Sequence, residues 1–385
     1  MANTLTNLIP DLYSSLDVVS RELSGFIPAV TMDPVTARAA VGETVYSHVA
    51  PAAAAGDITP AATVPDDGDQ TIGSVALSIT KSRRVPFRWN GEQTRGVNNG
   101  PGARSIQANQ LQQAIRTLTN EIETDLAGLY SSASRAAGTT GTTPFATVND
   151  YTAASGARKI LVDNGSPQSD LQLVIDTTSG VNLRGKQSAV DAAGTSSILR
   201  QGVLLDISGM AVRESGQITE PAVGTASSAT TDNAGYAVGA TVLTLASAGT
   251  GTILAGDVIT FAGDANQYIV APSGGDTDVS DGGTITLAAP GLRVAMSAAT
   301  KAITVVASSP RSMAFHRGAI VLAQRLPALP DGGDVASDRT TVVDPRSGLS
   351  FEVAMYPQYR QMQYEVSCAW GVAMVKPEHA CNLLG

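Results

Sequence analysis

Residues 104–136 read RSIQANQLQQAIRTLTNEIETDLAGLYSSASRA, and the fold turns on this stretch. Leu111, Ile115, Leu118, Ile122, Leu126 and Leu129 recur at intervals of three and four, which draws one apolar stripe down a helix. Gly138 and the Gly/Thr run after it stop the pattern. The spacing predicts a helix over Arg104–Ala136. At about 1.5 Å per residue, roughly thirty residues span about 45 Å. The mean helix has only about 11–12 residues. This one reads as a beam for a wide, thin domain.

Upstream of the beam lies the one basic stretch: Lys81, Arg83, Arg84, Arg88, Arg95 and Arg104, with Phe87 and Trp89 interleaved. That mixture superficially suits stacking on single-stranded nucleic acid. The charges lie on a strand and on the approach to the helix, so ion pairs with a neighbouring subunit fit at least as well. Before them, Val75, Leu77 and Ile79 alternate with Ser74, Ala76 and Ser78, and Glu43–Val49 also reads as a strand. The two flank Ala50–Gln70, rich in Ala, Pro and Gly, with Asp66, Asp67 and Asp69 near its end. A connection this long is functional or disordered more often than it is filler. In the N-terminal arm, Leu12, Leu16, Val19, Leu23 and Phe26 mark a short amphipathic helix with no adjacent partner, ended by Pro28 and Pro34.

Downstream, helices are expected at Asn149–Val162 and Leu183–Gln201, and strands at Leu171–Asp176 and Leu204–Glu214. This is an α+β succession, not the regular alternation of a dinucleotide-binding sheet. At about Gln217 the composition shifts to Gly, Thr, Ala, Val and Asp. β-like runs recur at Thr241–Leu245, Asp257–Phe261, Thr284–Leu287 and Lys301–Val306, between turn clusters such as Asp281-Gly282-Gly283. Through Ser308 this reads as a small all-β insertion, barrel or sandwich. Glu220, Asp232, Asp257, Asp264, Asp276, Asp278 and Asp281 outnumber Arg293 and Lys301 there. Ser312–Gln324 reads as helical again. Leu349–Met355 and Gln361–Ala373 read as long antiparallel strands.

The 385 residues carry a net charge of −9, with 43% hydrophobic and only 15% charged side chains. An average soluble chain has about 25% charged residues. A surface of small neutral side chains suits close packing of many backbones better than a free, charge-solubilised monomer. The acidic balance speaks against coating DNA by phosphate neutralisation. No run approaches the roughly 18 apolar residues of a spanning helix. Met1–Pro10 lacks the basic and apolar regions of a secretory signal. Two cysteines make no disulfide framework, which points to a reducing cytoplasm.

No catalytic constellation emerges. His48, His316 and His379 fall in different expected elements, and His316 reads as a helix-packing residue. No nucleophile elbow, zincin motif or P-loop occurs. Cys368, His379 and Cys381 match no zinc spacing. They read as a buried thiol on the last strand and a free thiol near the terminus. Asp276, Asp278 and Asp281 resemble part of a calcium loop. Ala288 stands near the position of the bidentate Glu, so the segment reads as an acidic hairpin turn. The expectation is a non-enzyme without catalytic, cofactor or metal residues.

The order of elements resembles the major capsid (coat) protein of tailed double-stranded DNA bacteriophages. The Salmonella short-tailed phage coat proteins, which carry a β-barrel insertion domain, are the nearest variant. Ser312–Ile320 (SMAFHRGAI) looks like the AFH-(K/R)-x-A helix after the insertion. Asp257–Gly263 (DVITFAG) is similar to the insertion's GD-x-I-x-FAG strand, and Ala369–Val372 with Lys376-Pro377-Glu378 to the last strand and its exit. The resemblance implies a Hong Kong 97-type fold of class α+β, with N-arm, extended loop, spine helix, and peripheral and axial domains. Its divisions would be 1–44 (arm), 45–80 (loop), 81–138 (linker and spine), 139–216 (α+β region), 217–308 (β-barrel insertion) and 309–385 (axial helix and closing strands). It implies copies of itself as partners in hexamers and pentamers, with scaffolding, portal and decoration proteins besides. It implies a place in the virion after assembly in the host cytoplasm, around DNA that is not read by sequence, with no membrane. In some relatives a Lys and an Asn cross-link neighbours; none of the five lysines here lies in the extended loop. The competing readings are a secreted β-rich surface-layer or adhesin-like protein, and a hydrolase with an unrecognised site.

Overall fold

The computed structural model describes residues 25–385 except 34, 36, 50–54, 61, 64–67, 94–102, 148–149, 187–205 and 344–347. Leu12, Leu16, Val19 and Leu23 of the arm, Arg95 of the basic stretch and most of the helix expected at Leu183–Gln201 fall outside these residues. The chain opens with strands β1 (Thr31–Asp33), β2 (Arg38–Ala39), β3 (Thr44–Val49), β4 (Gly73–Ser78) and β5 (Lys81–Asn90). Next come helix α1 (Ala103–Ala127), β6 (Arg135–Ala137), α2 (Thr152–Asp163), β7 (Leu171–Ile175), α3 (Thr177–Lys186) and β8 (Met210–Glu214). Five short strands follow: β9 (Val242–Thr244), β10 (Val258–Phe261), β11 (Gln267–Ile269), β12 (Thr284–Thr286) and β13 (Ile303–Val305). Last are β14 (Arg311–His316), β15 (Ile320–Pro327), β16 (Asp338–Val343), β17 (Ser350–Gln358), β18 (Gln361–Met374) and β19 (Ala380–Leu384).

Two mixed sheets organise the described residues. One runs β1-β15-β18-β17-β16, with β2 on β15 and β5 along β18; the other runs β13-β10-β11-β6-β19-β14-β7-β8. Helix α1 lays Leu111, Ile115, Leu118, Ile122 and Leu126 into a core shared with Phe315, Leu322, Phe351, Val366 and Trp370, from strands of both sheets. The beam therefore spans the two sheets. It is 25 residues long, about 38 Å. It stops before the expected Ala136: Gly128–Ser132 tighten into a 3-10 turn and Arg135–Ala137 become β6. Gly and Ser hold a helix poorly, and β6 is claimed on one side by β19 and on the other by β11.

The long β17–β18 pair is antiparallel as expected, with Glu352 opposite Ser367 and Gln358 opposite Gln361. Ser312–Gln324 is not helical. It forms β14, a 3-10 turn over Arg317–Ala319, and β15. No axial helix occupies this part of 309–385. β14 is flanked by β19 and β7, and β15 by β18 and β1, so Met313, Phe315 and Leu322 are buried. A strand buried on both faces reads as a continuous apolar run, which spacing alone cannot tell from a helix. The helix expected from Leu183 starts at Thr177 instead. Asp176 Oδ2 accepts the amides of Thr178 (3.0 Å) and Ser179 (3.2 Å), a cap placed before the apolar signal begins.

Residues 217–308 hold strands and turns and no helix. The β9–β12 pair and the outer strands of the large sheet share one apolar cluster of Leu243, Ile285, Leu287, Ile259, Phe261, Tyr268 and Ile303. The segment is not sealed off as a closed barrel: β11 pairs with β6, which makes its strands the end of the body's own sheet. Val258, Ile269 and Ala288 join the main core.

Candidate assembly surface

β3 and β4 form a two-stranded sheet of their own, with Thr44 opposite Ser78 and Val49 opposite Gly73. Exposure rises from base to tip. Leu77 and Ile79 are buried against Ala39, Ala323 and Ala369 at the base. Tyr46 is 61%, Ile72 68% and Ile58 98% exposed. The described residues between 55 and 70 are all exposed. The hairpin base is clamped where Thr80 N donates to Trp370 O (3.1 Å) and where Gly371 lets the Ser78 carbonyl pass. A Cβ on Gly371 would lie 2.1 Å from that oxygen.

The basic strand β5 is fastened inside its own chain. Lys81 Nζ meets Asp125 (2.8 Å) and Glu121 (3.2 Å) of α1 and sits 5.9 Å from the Trp370 ring centroid. Trp370 Nε1 donates to Asp125 Oδ2 at 2.8 Å. Burial alone would lower the Lys81 pKa; the hydrogen bonds and charges of Asp125 and Glu121 outweigh it and raise it. Arg83 pairs with Glu121 (3.0 Å) and Arg84 with Glu365 (2.7 Å). Phe87 stacks on Tyr364 at 5.3 Å, and Trp89 Nε1 donates to Gln110 Oε1 at 2.7 Å. These aromatic rings are engaged by protein, and these three cations find acids within the chain.

Glu123 of α1 ties three elements together. Its carboxylate accepts the amides of Gly25 (2.6 Å), Phe26 (2.7 Å) and Ile27 (3.0 Å) and the hydroxyl of Ser215 (2.8 Å). Burial raises its pKa above the usual carboxylate value, and the four donors pull it partly back. Phe26, the one described residue of the arm's apolar stripe, is buried in the chain's own core and stacks on Phe315 at 6.2 Å. Glu123 went unnoticed in the sequence because one acid beside an apolar stripe carries no signal of its own. Glu352, buried, hydrogen-bonded by Arg38 and ion-paired with Arg339 (3.1 Å), carries no sequence signal for the same reason.

The acidic residues of 217–308 are largely turn fasteners. Asp257 accepts the amides of Leu254 (2.7 Å) and Gly224 (3.0 Å). Asp232 takes the Tyr236 hydroxyl at 2.7 Å. Asp264 takes that of Tyr268 at 2.6 Å; burial and this bond push the Tyr268 phenol up to about 12. Asp276, Asp278 and Asp281 each accept a backbone amide two residues on, at 2.8–3.1 Å. Among the described residues no three His, Cys, Asp or Glu converge as metal ligands do, and no described helix is long and apolar enough to cross a membrane. Both cysteines are free and buried. Cys368 lies on β18, and the final strand is β19, which carries Cys381. Burial pushes the Cys381 thiol up to about 12. His48 is exposed on β3, and His316 ends a strand instead of lying on a helix.

No family model matches this chain, and no curated protein matches it. Solved structures similar to it include the following three. The capsid of the cyanophage P-SCSP1u matches at 12% identity and a TM-score of 0.49, over 93% of this chain and 87% of that one. Mycobacterium phage Che8 matches at 12% and 0.47, over 89% and 84%. A virus-like particle from Pyrococcus furiosus matches at 9% and 0.45, over 98% and 100%.

Proposed function

We propose that this chain is the major capsid protein of a tailed double-stranded DNA phage, a structural protein of the Hong Kong 97-type fold. One observation carries the reading: a two-stranded hairpin is held at its base by Gly371 and Trp370, yet exposes Tyr46, Ile58 and Ile72 toward its tip. Exposed apolar side chains on a projecting element mark an interaction site. The loop at 50–70 reaches across an adjacent copy, the two sheets with α1 form the tile, and 217–308 braces neighbours. Individual contacts are modest because a closed shell multiplies them. The small-residue surface permits close approach, and the acidic balance keeps packaged DNA off the wall. Hexamers and pentamers of the chain, with scaffolding and portal proteins and a decoration protein as further partners, would make up the virion. The divisions at 1–44, 45–80, 81–138, 139–216, 217–308 and 309–385 belong to the same proposal, with strands where the last had an axial helix. So does the branch with an inserted β-domain.

The test is to express the full chain alone and with the scaffold candidate encoded beside it, then image the lysate by negative-stain electron microscopy. Closed shells, tubes or spirals of tiles are expected. A uniformly small species in both preparations overturns the reading.

A further inference from the structure

We propose that His316 and His379 form a proton-sensitive clasp at the place where the chain crosses between its two sheets. Apart from α1, the described chain passes from one sheet to the other twice after residue 300: β14 to β15, and β18 to β19. Each passage is a single 3-10 turn, Arg317–Ala319 and Pro377–His379, and each turn is flanked or ended by a histidine. The two rings meet edge to face, with centroids 6.3 Å apart. The turns are bonded to each other, since Val375 N donates to Ala319 O at 2.8 Å.

The bonding needs neutral imidazole. His316 Nδ1 accepts the Gly318 amide at 3.1 Å, which caps its turn. A proton on Nδ1 removes that lone pair and turns the nitrogen into a donor facing a donor. A proton on both rings sets like charges edge to face. Burial, Lys376 and His316 hold the His379 pKa below its ordinary 6.5, against the pull of Glu378.

The other charges around the clasp do not decide its state. On the first turn, Arg317 pairs with Asp170 (3.7 Å) from the loop before β7, with Arg213 of β8 close to both. On the second, Lys376 and Glu378 flank His379. The end of α2 contributes neutral Asn164, which donates to Glu378 O at 2.8 Å, while Asp163 lies 3.9 Å from Arg135. Four cations (Arg317, Arg213, Lys376, Arg135) stand with four acids (Asp170, Asp206, Glu378, Asp163).

A histidine whose folded pKa is lowered contributes stability that is present above the unfolded value and lost as pH falls through the folded one. The clasp is therefore closed at neutral pH and opens as pH falls through the lowered His379 pKa. The test follows hydrogen exchange of segments 314–322 and 372–382 in the unassembled full chain from pH 8 to pH 5, as protection factors. The same is done for His316→Asn, whose side-chain oxygen can accept the Gly318 amide without taking a proton, combined with His379→Gln. A fall of about tenfold in both segments of the unmodified chain, absent from the double variant, is expected. Constant protection in the unmodified chain overturns the clasp, as does an equal fall in the variant. The readout is on the single chain, so it stands or falls apart from shell formation.

Discussion

Glu123 shows how much one side chain can carry here. Four donors converge on it from elements about 100 positions away in sequence, and among the described residues no cation pairs with it. Glu123→Ala leaves three buried amides and a hydroxyl without partners. An unsatisfied buried group costs about 1–3 kcal/mol, so a loss of about 3 kcal/mol or more is expected in the urea unfolding of the unassembled chain. Glu123→Gln keeps one acceptor and turns an NH2 toward donors, which should give a smaller loss. Trp370 is fully buried, with its ring under Lys81 and its N–H on Asp125. Trp370→Ala should cost about 3–5 kcal/mol, and a loss under about 1 kcal/mol would show that the site collapses without strain.

The hairpin and the beam are the elements that matter most. Among the described residues the β3–β4 pair buries side chains only at its base, Leu77 and Ile79, so its tip contributes little to the stability of a single copy. Removing residues 50–70 should leave a chain with an unchanged melting temperature that forms no shells by electron microscopy. Intact shells from that deletion would remove the loop's assigned role. Gly371 acts in the opposite sense. Gly371→Ala forces the Ser78 carbonyl away from β18, so both stability and assembly should fall, measured by melting and by sedimentation. The 312–324 stretch shows why element type was the weaker part of the sequence reading. Met313, Phe315, Ala319, Ile320 and Ala323 match helical spacing, yet each lies in a strand or turn buried by two neighbouring strands.

At the scale of the molecule, residues 217–308 combine independence with attachment. They own an apolar cluster, but their sheet continues into β6, and Gly256 packs on Tyr130 with no room for a side chain. The isolated fragment is expected to give a cooperative melt and a β-type circular dichroism spectrum, with lower stability than in the whole chain because Val258, Ile269 and Ala288 lose their cover. A disordered spectrum would show that the body's sheet is needed to fold it.

What the sequence determined by itself is what local pattern encodes. The stripe from Leu111 to Leu126 is a helix, and the alternation from Val75 and the run at 361–373 are strands. Each depends on residues within a few turns or strands of one another. Only the tertiary structure decided the strands β6, β14, β15 and β19, whose neighbours lie up to 290 positions away, as Val321 is from the Thr31 opposite it. The same holds for Glu123 and for the meeting of His316 with His379. A buried run or a lone acid has no period of its own, and its meaning comes from partners that only the folded chain brings to it.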